Sequence, residues 1–470
     1  MDKYYLAVDI GASSGRHILC HMQDGRMVLE EVYRFENGMV DIGGSRCWDC
    51  DRLFSEIKRG MHRCAELGKI PVSMGVDTWG VDFILLDRDG NRVGNAVAYR
   101  DRRTEGMDAE VYRLISEREL FNRTGVPRQI YNTIYQLMAL KKRNPELLEA
   151  AQNLLMTPDY YHYKLTGVRA TEYTIATTGQ LIDKDTRDWD WALIDLLGYP
   201  RRIFGPIREP GTVLGCLTEE VQREVGFNCN VILPGSHDTA SAVLAVPTND
   251  STVYISSGTW SLMGVELEQA NCSDESFAAG FTNEGGYQYH YRFLKNIMGL
   301  WMIQSVRHEY QDRYSFAQLC AMAEQARDFP SRVDVNDDAF FAPESMIRAI
   351  QDDCERTHQA VPRTPGEVCA VIYQSLAACY GRTIRQIEAI TGTQFDAVSV
   401  VGGGANADYL NRLTANATGK TVYAGPTEAT AIGNLTVQML VDGVLESKSE
   451  ARNCIFRSFD VKTFRAEGRA

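Results

Sequence analysis

The chain has 470 residues, 44% of them hydrophobic and 24% charged, with a net charge of −13. That length exceeds one ordinary core, so two domains are expected. An acidic surface repels nucleic-acid backbones and anionic membranes, which argues against both as partners, yet local amides and a cation or two can still hold a small anion.

Along the chain, the start lacks a basic region followed by a long apolar run, and no segment approaches eighteen apolar residues. A cytoplasmic protein is therefore expected. Tyr4-Tyr-Leu-Ala-Val-Asp-Ile10 reads as a strand, Gly11-Ala-Ser-Ser-Gly15 as a turn of small residues, and Arg16-His-Ile-Leu-Cys20 as the returning strand. The backbone N–H groups of Ala12, Ser13, Ser14 and Gly15, with two hydroxyls, suit an anion. Asp9 at the strand end suits Mg²⁺ held through water, and Arg16 is a cationic fork beside the turn. Taken alone, the segment is equally well explained as a ligand-free hairpin. The twelve cysteines are too sparse for a disulfide scaffold, and Cys47-Trp-Asp-Cys50 has no second metal-ligand pair nearby.

Residues 72–77 and 83–87 read as strands, and 107–119, 135–142 and 147–165 as helices. The Trp-rich segment 187–200 stops at Gly198-Tyr-Pro200. The apolar run Val231-Ile-Leu233 leads into Pro234-Gly-Ser-His-Asp-Thr-Ala-Ser-Ala242. An aspartate carboxylate is ionised at neutral pH and can accept a proton from a substrate hydroxyl. Asp238, flanked by His237 and Thr239, is such a group, although on its own it reads better as the N-cap of a helix starting at Thr239; its company at both ends of the chain shifts the balance.

A second hairpin follows: strand 251–257, turn Gly258-Thr259, strand 260–265. Its echo of the first predicts a duplicated α/β domain, with the boundary at Pro247-Thr-Asn-Asp250, hence domains 1–247 and 248–470. Helices are predicted at 298–310, 315–327, 365–391 and 406–418, and a strand at 396–402. Val401-Gly-Gly-Gly-Ala-Asn406 closes that strand and opens a helix, a third place for backbone N–H groups to meet a nucleotide. Gly419-Lys-Thr421 mimics the end of a Walker A loop. Position 414 is Thr where that loop needs Gly, and the helix-to-strand order is reversed, so the motif is rejected.

Together, Asp9-Ile-Gly-Ala-Ser-Ser-Gly-Arg16, Ser256-Ser-Gly-Thr259 and Val401-Gly-Gly-Gly404 resemble the two phosphate hairpins and the adenosine loop of the sugar kinase, heat-shock and actin superfamily. Within it the chain resembles the FGGY-type carbohydrate kinases. Gly75-Val-Asp-Thr-Trp-Gly-Val-Asp-Phe83, Ala98-Tyr-Arg-Asp-Arg-Arg-Thr104, Ser236-His-Asp-Thr239 and Lys295-Asn-Ile-Met-Gly-Leu-Trp301 narrow the likeness to the branch that phosphorylates L-rhamnulose. It runs from residue 4 to about 440.

The resemblance implies two ribonuclease H-like α/β domains with a cleft between them. It implies MgATP-dependent phosphorylation of the C1 hydroxyl of L-rhamnulose in L-rhamnose catabolism, with another deoxy-ketose such as L-fuculose as the alternative. By the same resemblance Asp238 is the general base, and Trp79, Gly80, His237, Thr239 and Asn296 contact the sugar. Residues Ala12 to Arg16, Thr259, Gln304, Gly402, Gly403 and Gly404 contact ATP, with Asp9 near the metal; Asp82 and Arg100 are further pocket candidates. A chaperone or filament protein of the superfamily would need the hairpins but no sugar-facing aspartate. A silent sugar-binding protein would not need Asp9, Arg16 and Asp238 together. Monomer and dimer both stay open.

Overall fold

The computed structural model describes residues 3–467. The chain forms two compact units. The first gathers the described residues up to Leu244 with Glu266–Phe293 and Thr430–Cys454; the second gathers Ala245–Val265, Leu294–Ala429 and the described residues from Ile455 onward. The units thus follow packing rather than one cut in chain order.

In the first unit, strands β1 (Tyr4–Ile10), β2 (Ser14–Gln23) and β3 (Arg26–Glu36) form an antiparallel meander. Strand β4 (Pro71–Thr78) pairs parallel to β1. The antiparallel pair of β5 (Phe83–Leu86) and β6 (Asn153–Met156), distant in sequence, stands apart from this sheet. Strand β7 (Val213–Cys216) is antiparallel to β8 (Asn230–Ile232), and β8 is parallel to β4, so the sheet order is β7-β8-β4-β1-β2-β3. β1 and β4 are covered on both faces and therefore read as nearly continuous apolar runs. Leu6, Val8, Met74 and Val76 join Leu53, Ile57 and Met61 of the Cys50–Glu66 helix in one core. That helix starts at Asp49, whose side chain accepts the Arg52 N–H.

In the second unit, β9 (Thr252–Ser257) and β10 (Trp260–Leu267) make the second hairpin. Strand β11 (Ala397–Val401) is parallel to β9, β12 (Thr421–Ala424) is parallel to β11, and β13 (Lys462–Phe464) is antiparallel to β12. A hairpin followed by parallel strands is therefore laid down twice, as the two similar strand–turn–strand segments imply.

Two expected helices are subdivided. The 107–119 segment is Met107–Tyr112 and Glu117–Thr124, broken where Ser116 caps the second piece through the Glu119 N–H. The 147–165 segment is the Pro145–Ala150 helix, strand β6 and the Thr157–Thr166 helix. The run Leu154-Leu-Met156 is wholly buried, and a short apolar run does not by itself separate strand from helix. Pro158 then suits the start of a new helix. Met298 ends a strand, so the helix expected from 298 begins at Trp301. No two cysteines among the described residues form a disulfide. Among the described residues no helix is long and apolar enough to cross a membrane.

Candidate active site

The three parallel strands of the first unit deliver their carboxyl ends side by side, the usual ligand position in such sheets. β1 ends on Asp9-Ile10, β4 on Asp77-Thr78, and β8 runs into the turn that carries Asp238. Asp9 and Asp77 are register partners. The Thr78 N–H donates to the Ser236 carbonyl (2.9 Å), which ties that turn to β4.

These carboxyls sense one another. Burial pushes Asp9 above the usual carboxylate range; Arg16 opposes the shift, the Asp238 charge adds to it, and hydrogen bonding to Asp77 pulls the other way. Asp9 Oδ2 accepts from Arg16 Nε (2.9 Å) and lies 2.8 Å from Arg16 Nη2. Arg16, expected at a phosphate, is thus paired with Asp9. Burial, then the Asp9 charge, drive Asp77 well above the usual range. Asn434 Nδ2 donates to Asp77 Oδ2 (2.5 Å), while Asp77 Oδ1 is buried with no hydrogen-bond partner. The hairpin tip is closed by Gly11 N–H to the Ser14 carbonyl (2.8 Å), and Asn37 N–H donates to the Ser13 carbonyl (2.9 Å). Ser13 is exposed, Ala12 and Ser14 are half-buried, and Gly15 is buried against Phe35.

Asp238 is the accessible carboxyl, with 32% of its side chain exposed against 7% for Asp9. It is the first residue of the Asp238–Leu244 helix. Its Oδ1 accepts the Thr239 N–H (2.6 Å) and the Thr239 hydroxyl (3.1 Å), and His237 Nε2 lies 3.4 Å away. Among the described residues every donor to Asp238 falls on Oδ1, which leaves Oδ2 open to a ligand. The turn itself is suspended from buried groups. Glu172 Oε2 accepts the Ser236 N–H (3.1 Å), and Thr174 Oγ1 accepts the His237 N–H (3.2 Å). Burial raises Glu172 to about 7, against the pull of the Thr174, Ile175 and Ser236 donors.

On its far side His237 meets a buried ion pair. Arg292, 1% exposed, places Nη2 3.0 Å from His237 Nδ1 and 3.1 Å from Glu284 Oε2, and its Nε donates to the Gly285 carbonyl (2.8 Å). Burial works against the Glu284 charge, and the neighbouring Arg292 cation helps hold that carboxyl below its usual range.

Trp79, 7% exposed, donates Nε1 to Asp82 Oδ2 (2.9 Å), as does Trp48 (2.7 Å), and the two indoles lie 4.1 Å apart at 38°. Asp82 is therefore a clamp on two aromatic rings, buried itself and raised by that burial. Gly80 is half-buried, and a Cβ there would sit 3.0 Å from Thr178 Cγ2. Val81 adopts φ of 70°, a costly region for a β-branched residue. Its N–H donates to Thr178 Oγ1 (3.0 Å), and its carbonyl accepts from Thr133 Oγ1 (2.7 Å) and Gln136 Nε2 (3.1 Å). Arg100 is exposed and donates to its neighbour Tyr99 (3.0 Å).

In the second unit Thr259 and Gln304 come together: the Thr259 hydroxyl donates to Gln304 Oε1 (3.4 Å), and the Trp301 N–H donates to the Thr259 carbonyl (3.0 Å). Gly402 is left-handed at φ 83°, with its N–H on the Pro426 carbonyl (3.0 Å). Gly403 is exposed. A Cβ on Gly404 would lie 2.0 Å from Ser257 Oγ, so the loop presses on the end of β9 in a way only glycine allows. Asn296 is half-buried, and its Oδ1 is buried with no hydrogen-bond partner.

The sequence reasoning missed Asp77, Glu172, Glu284, Arg292 and Asn434. Asp77 had a signal: β1 and β4 both carry Val-Asp just before their last residue. Arg292 and Glu284 had none, since only packing brings them to His237. Carboxyl oxygens around the orphaned Asp77 Oδ1 fit a small hard cation. Among the described residues no three His, Cys, Asp or Glu side chains form a metal cage, so water and phosphate oxygens would complete the shell, as Mg²⁺ prefers.

Two family models match the chain: the N-terminal domain of the FGGY family of carbohydrate kinases over residues 4–245, and its C-terminal domain over 253–441. Rhamnulokinase of Oceanobacillus iheyensis is 49% identical over 464 residues, covering 99% of this chain and 98% of that protein. Rhamnulokinase of Halalkalibacterium halodurans is 50% identical over 461 residues, covering 98% of each. Among solved structures, gluconate kinase from Lactobacillus acidophilus superposes with a TM-score of 0.80 at 15% identity, over 99% of this chain and 94% of that one. Plasmodium falciparum glycerol kinase with ADP gives 0.79 at 14% identity, with the same coverage. At those identities the structures speak for the fold: two α/β domains of the actin-like ATPase type.

Proposed function

Because the chain belongs to the FGGY family of carbohydrate kinases, we propose that it transfers the γ-phosphoryl group of ATP to the C1 hydroxyl of L-rhamnulose, giving L-rhamnulose 1-phosphate in L-rhamnose catabolism. One observation carries the reading: likeness along nearly the whole chain, at 49% and 50% identity, to two proteins named rhamnulokinase. The free Oδ2 of Asp238 supports it chemically, since a kinase acting on a hydroxyl needs an acceptor for the proton.

Asp238 is the general base. Thr239 fixes Oδ1, and Oδ2 takes the hydroxyl proton as the sugar oxygen attacks phosphorus. His237 and Thr239 bind sugar hydroxyls from the same turn, and Trp79 and Gly80 form a wall of the sugar site, all within the first domain, 1–247. Asn296 offers the sugar its unpartnered Oδ1. Ala12 to Arg16 surround the phosphates. Thr259, Gln304 and Gly402 to Gly404, in the second domain, 248–470, hold the nucleotide. Asp9, with Asp77 beside it, would hold Mg²⁺ through water; when bound, the ion supplies neutralisation of phosphate charge.

The test is ADP release with a ketose panel: L-rhamnulose, L-fuculose, D-xylulose, D-ribulose, and glycerol for contrast. The expected outcome is a kcat/KM for L-rhamnulose at least about tenfold above every other substrate. A preference for L-fuculose would overturn the substrate and keep the chemistry. ATP hydrolysis indifferent to every sugar would overturn both.

A further inference from the structure

We infer that Arg292, balanced by Glu284, is the positioning residue that fixes the tautomer of His237, so that its Nε2 carries the proton and serves as a donor to the sugar. A guanidinium has only donors and stays protonated in proteins. With Nη2 3.0 Å from His237 Nδ1, the contact requires Nδ1 to be the bare, accepting nitrogen. Glu284 Oε2 is also near Nδ1, but farther, at 3.4 Å. A proton on Nδ1 would satisfy Glu284 only by pointing N–H at N–H on the closer neighbour. Glu284 is 3.1 Å from the same guanidinium nitrogen, and its role is to offset a cation that is 1% exposed.

The consequence reaches Asp238. In a neutral ring with Nδ1 bare, Nε2 is the N–H. It points to the side where Asp238 Oδ1 lies at 3.4 Å. His237 is then a donor and cannot compete for the hydroxyl proton, which leaves Asp238 Oδ2 as the acceptor. A sugar oxygen that meets His237 does so as an acceptor, so the site selects where the ketose places its lone pairs.

The experiment is a long-range ¹H–¹⁵N correlation spectrum of the full chain with labelled histidine, with the His237 signals assigned by their loss in His237→Gln. Wild type is expected to show a protonated Nε2 and a bare Nδ1 at neutral pH. Arg292→Met should shift the proton toward Nδ1, which then faces Glu284. It should also raise the ketose KM about tenfold with kcat changed less than about threefold, the signature of one lost binding hydrogen bond. Arg292→Lys keeps a donor and should restore the wild-type tautomer and most of the KM. Glu284→Gln should leave the tautomer unchanged. A protonated Nδ1 in wild type, or a tautomer switch in Glu284→Gln, overturns the inference even if Arg292→Met does not fold. The KM arm rests on the ketose-kinase reading; the spectrum needs no sugar, so the two can fail separately.

Discussion

The two hairpins share a backbone plan and differ in chemistry. In the first, the strand end carries Asp9, which faces Asp77 across a parallel register. In the second, the equivalent strand end carries Ser256, which faces Val401. The first is ringed by charged and polar side chains: Arg16 on Asp9, Asn434 on Asp77, and Glu172 beneath the Asp238 turn. The second is built from hydroxyls, glycines and apolar strand ends, with Gly404 pressed on Ser257. A duplicated fold can thus differ between its copies, with charge gathered in one and shape and neutral hydrogen bonding in the other.

Replacing the accessible charge should break the contrast most strongly. Asp238→Asn keeps the Thr239 contacts but removes the proton acceptor, and kcat is expected to fall by roughly 10²–10⁴. Circular dichroism and nucleotide affinity should be unchanged. Turnover within a few-fold of wild type would take Asp238 out of the base role.

The next effect is on stability. Glu172 is raised from 4.5 to about 7 by burial, so the folded state binds its proton more tightly than the unfolded chain does. A raised carboxyl stabilises below the unfolded value, and that contribution is lost as pH rises toward the folded one. The stability advantage of wild type over Glu172→Gln should therefore shrink by up to about 3 kcal/mol between about pH 4.5 and 7. Denaturant titrations across that window measure it; a widening gap would reverse the sign and refute the assignment.

A paired substitution sharpens the contrast directly. Asp9→Asn should cost about 10² in turnover and raise the Mg²⁺ needed for half-maximal rate, whereas Ser256→Ala should cost less than about threefold. Equal losses would mean that the two strand ends do the same work. A milder loss than that of Asp9→Asn belongs to the loop of the second unit. Gly404→Ala must displace the Ser257 hydroxyl 2.0 Å away, and the nucleotide KM is expected to rise about tenfold while the sugar KM holds. Initial-rate kinetics with each substrate varied would separate the two constants.

Much of this was legible in the chain because it is local. Each hairpin is a contiguous strand–turn–strand segment, and the turn carrying Asp238 follows its strand directly, so spacing and small residues expose them. The 147–165 segment misled because Leu154-Leu-Met156 is buried, and without alternation nothing distinguishes strand from helix. Arg292 and Asn434 stayed hidden for a different reason. Both act on residues of the first half across long sequence separations, and one chain carries no trace of such pairings.

Asn434 belongs to the Ala429–Val441 helix, whose Gln438 also donates to the Leu6 carbonyl (3.0 Å) and accepts from the Ser73 hydroxyl (2.7 Å), while Gly433 allows contact with Ser241 that no larger residue permits. This makes the order of synthesis matter. The opening strands leave the ribosome first, yet the helix that closes over them is made nearly last. At about 5–20 residues per second the interval from Leu244 to Val441 is on the order of 10–40 s. Through that time the nascent first unit presents Asp77, the Leu6 carbonyl and the Ser73 hydroxyl with their partners not yet translated. A chain cut before Thr430 should accordingly behave as an aggregation-prone intermediate, rescued by supplying the C-terminal segment in trans.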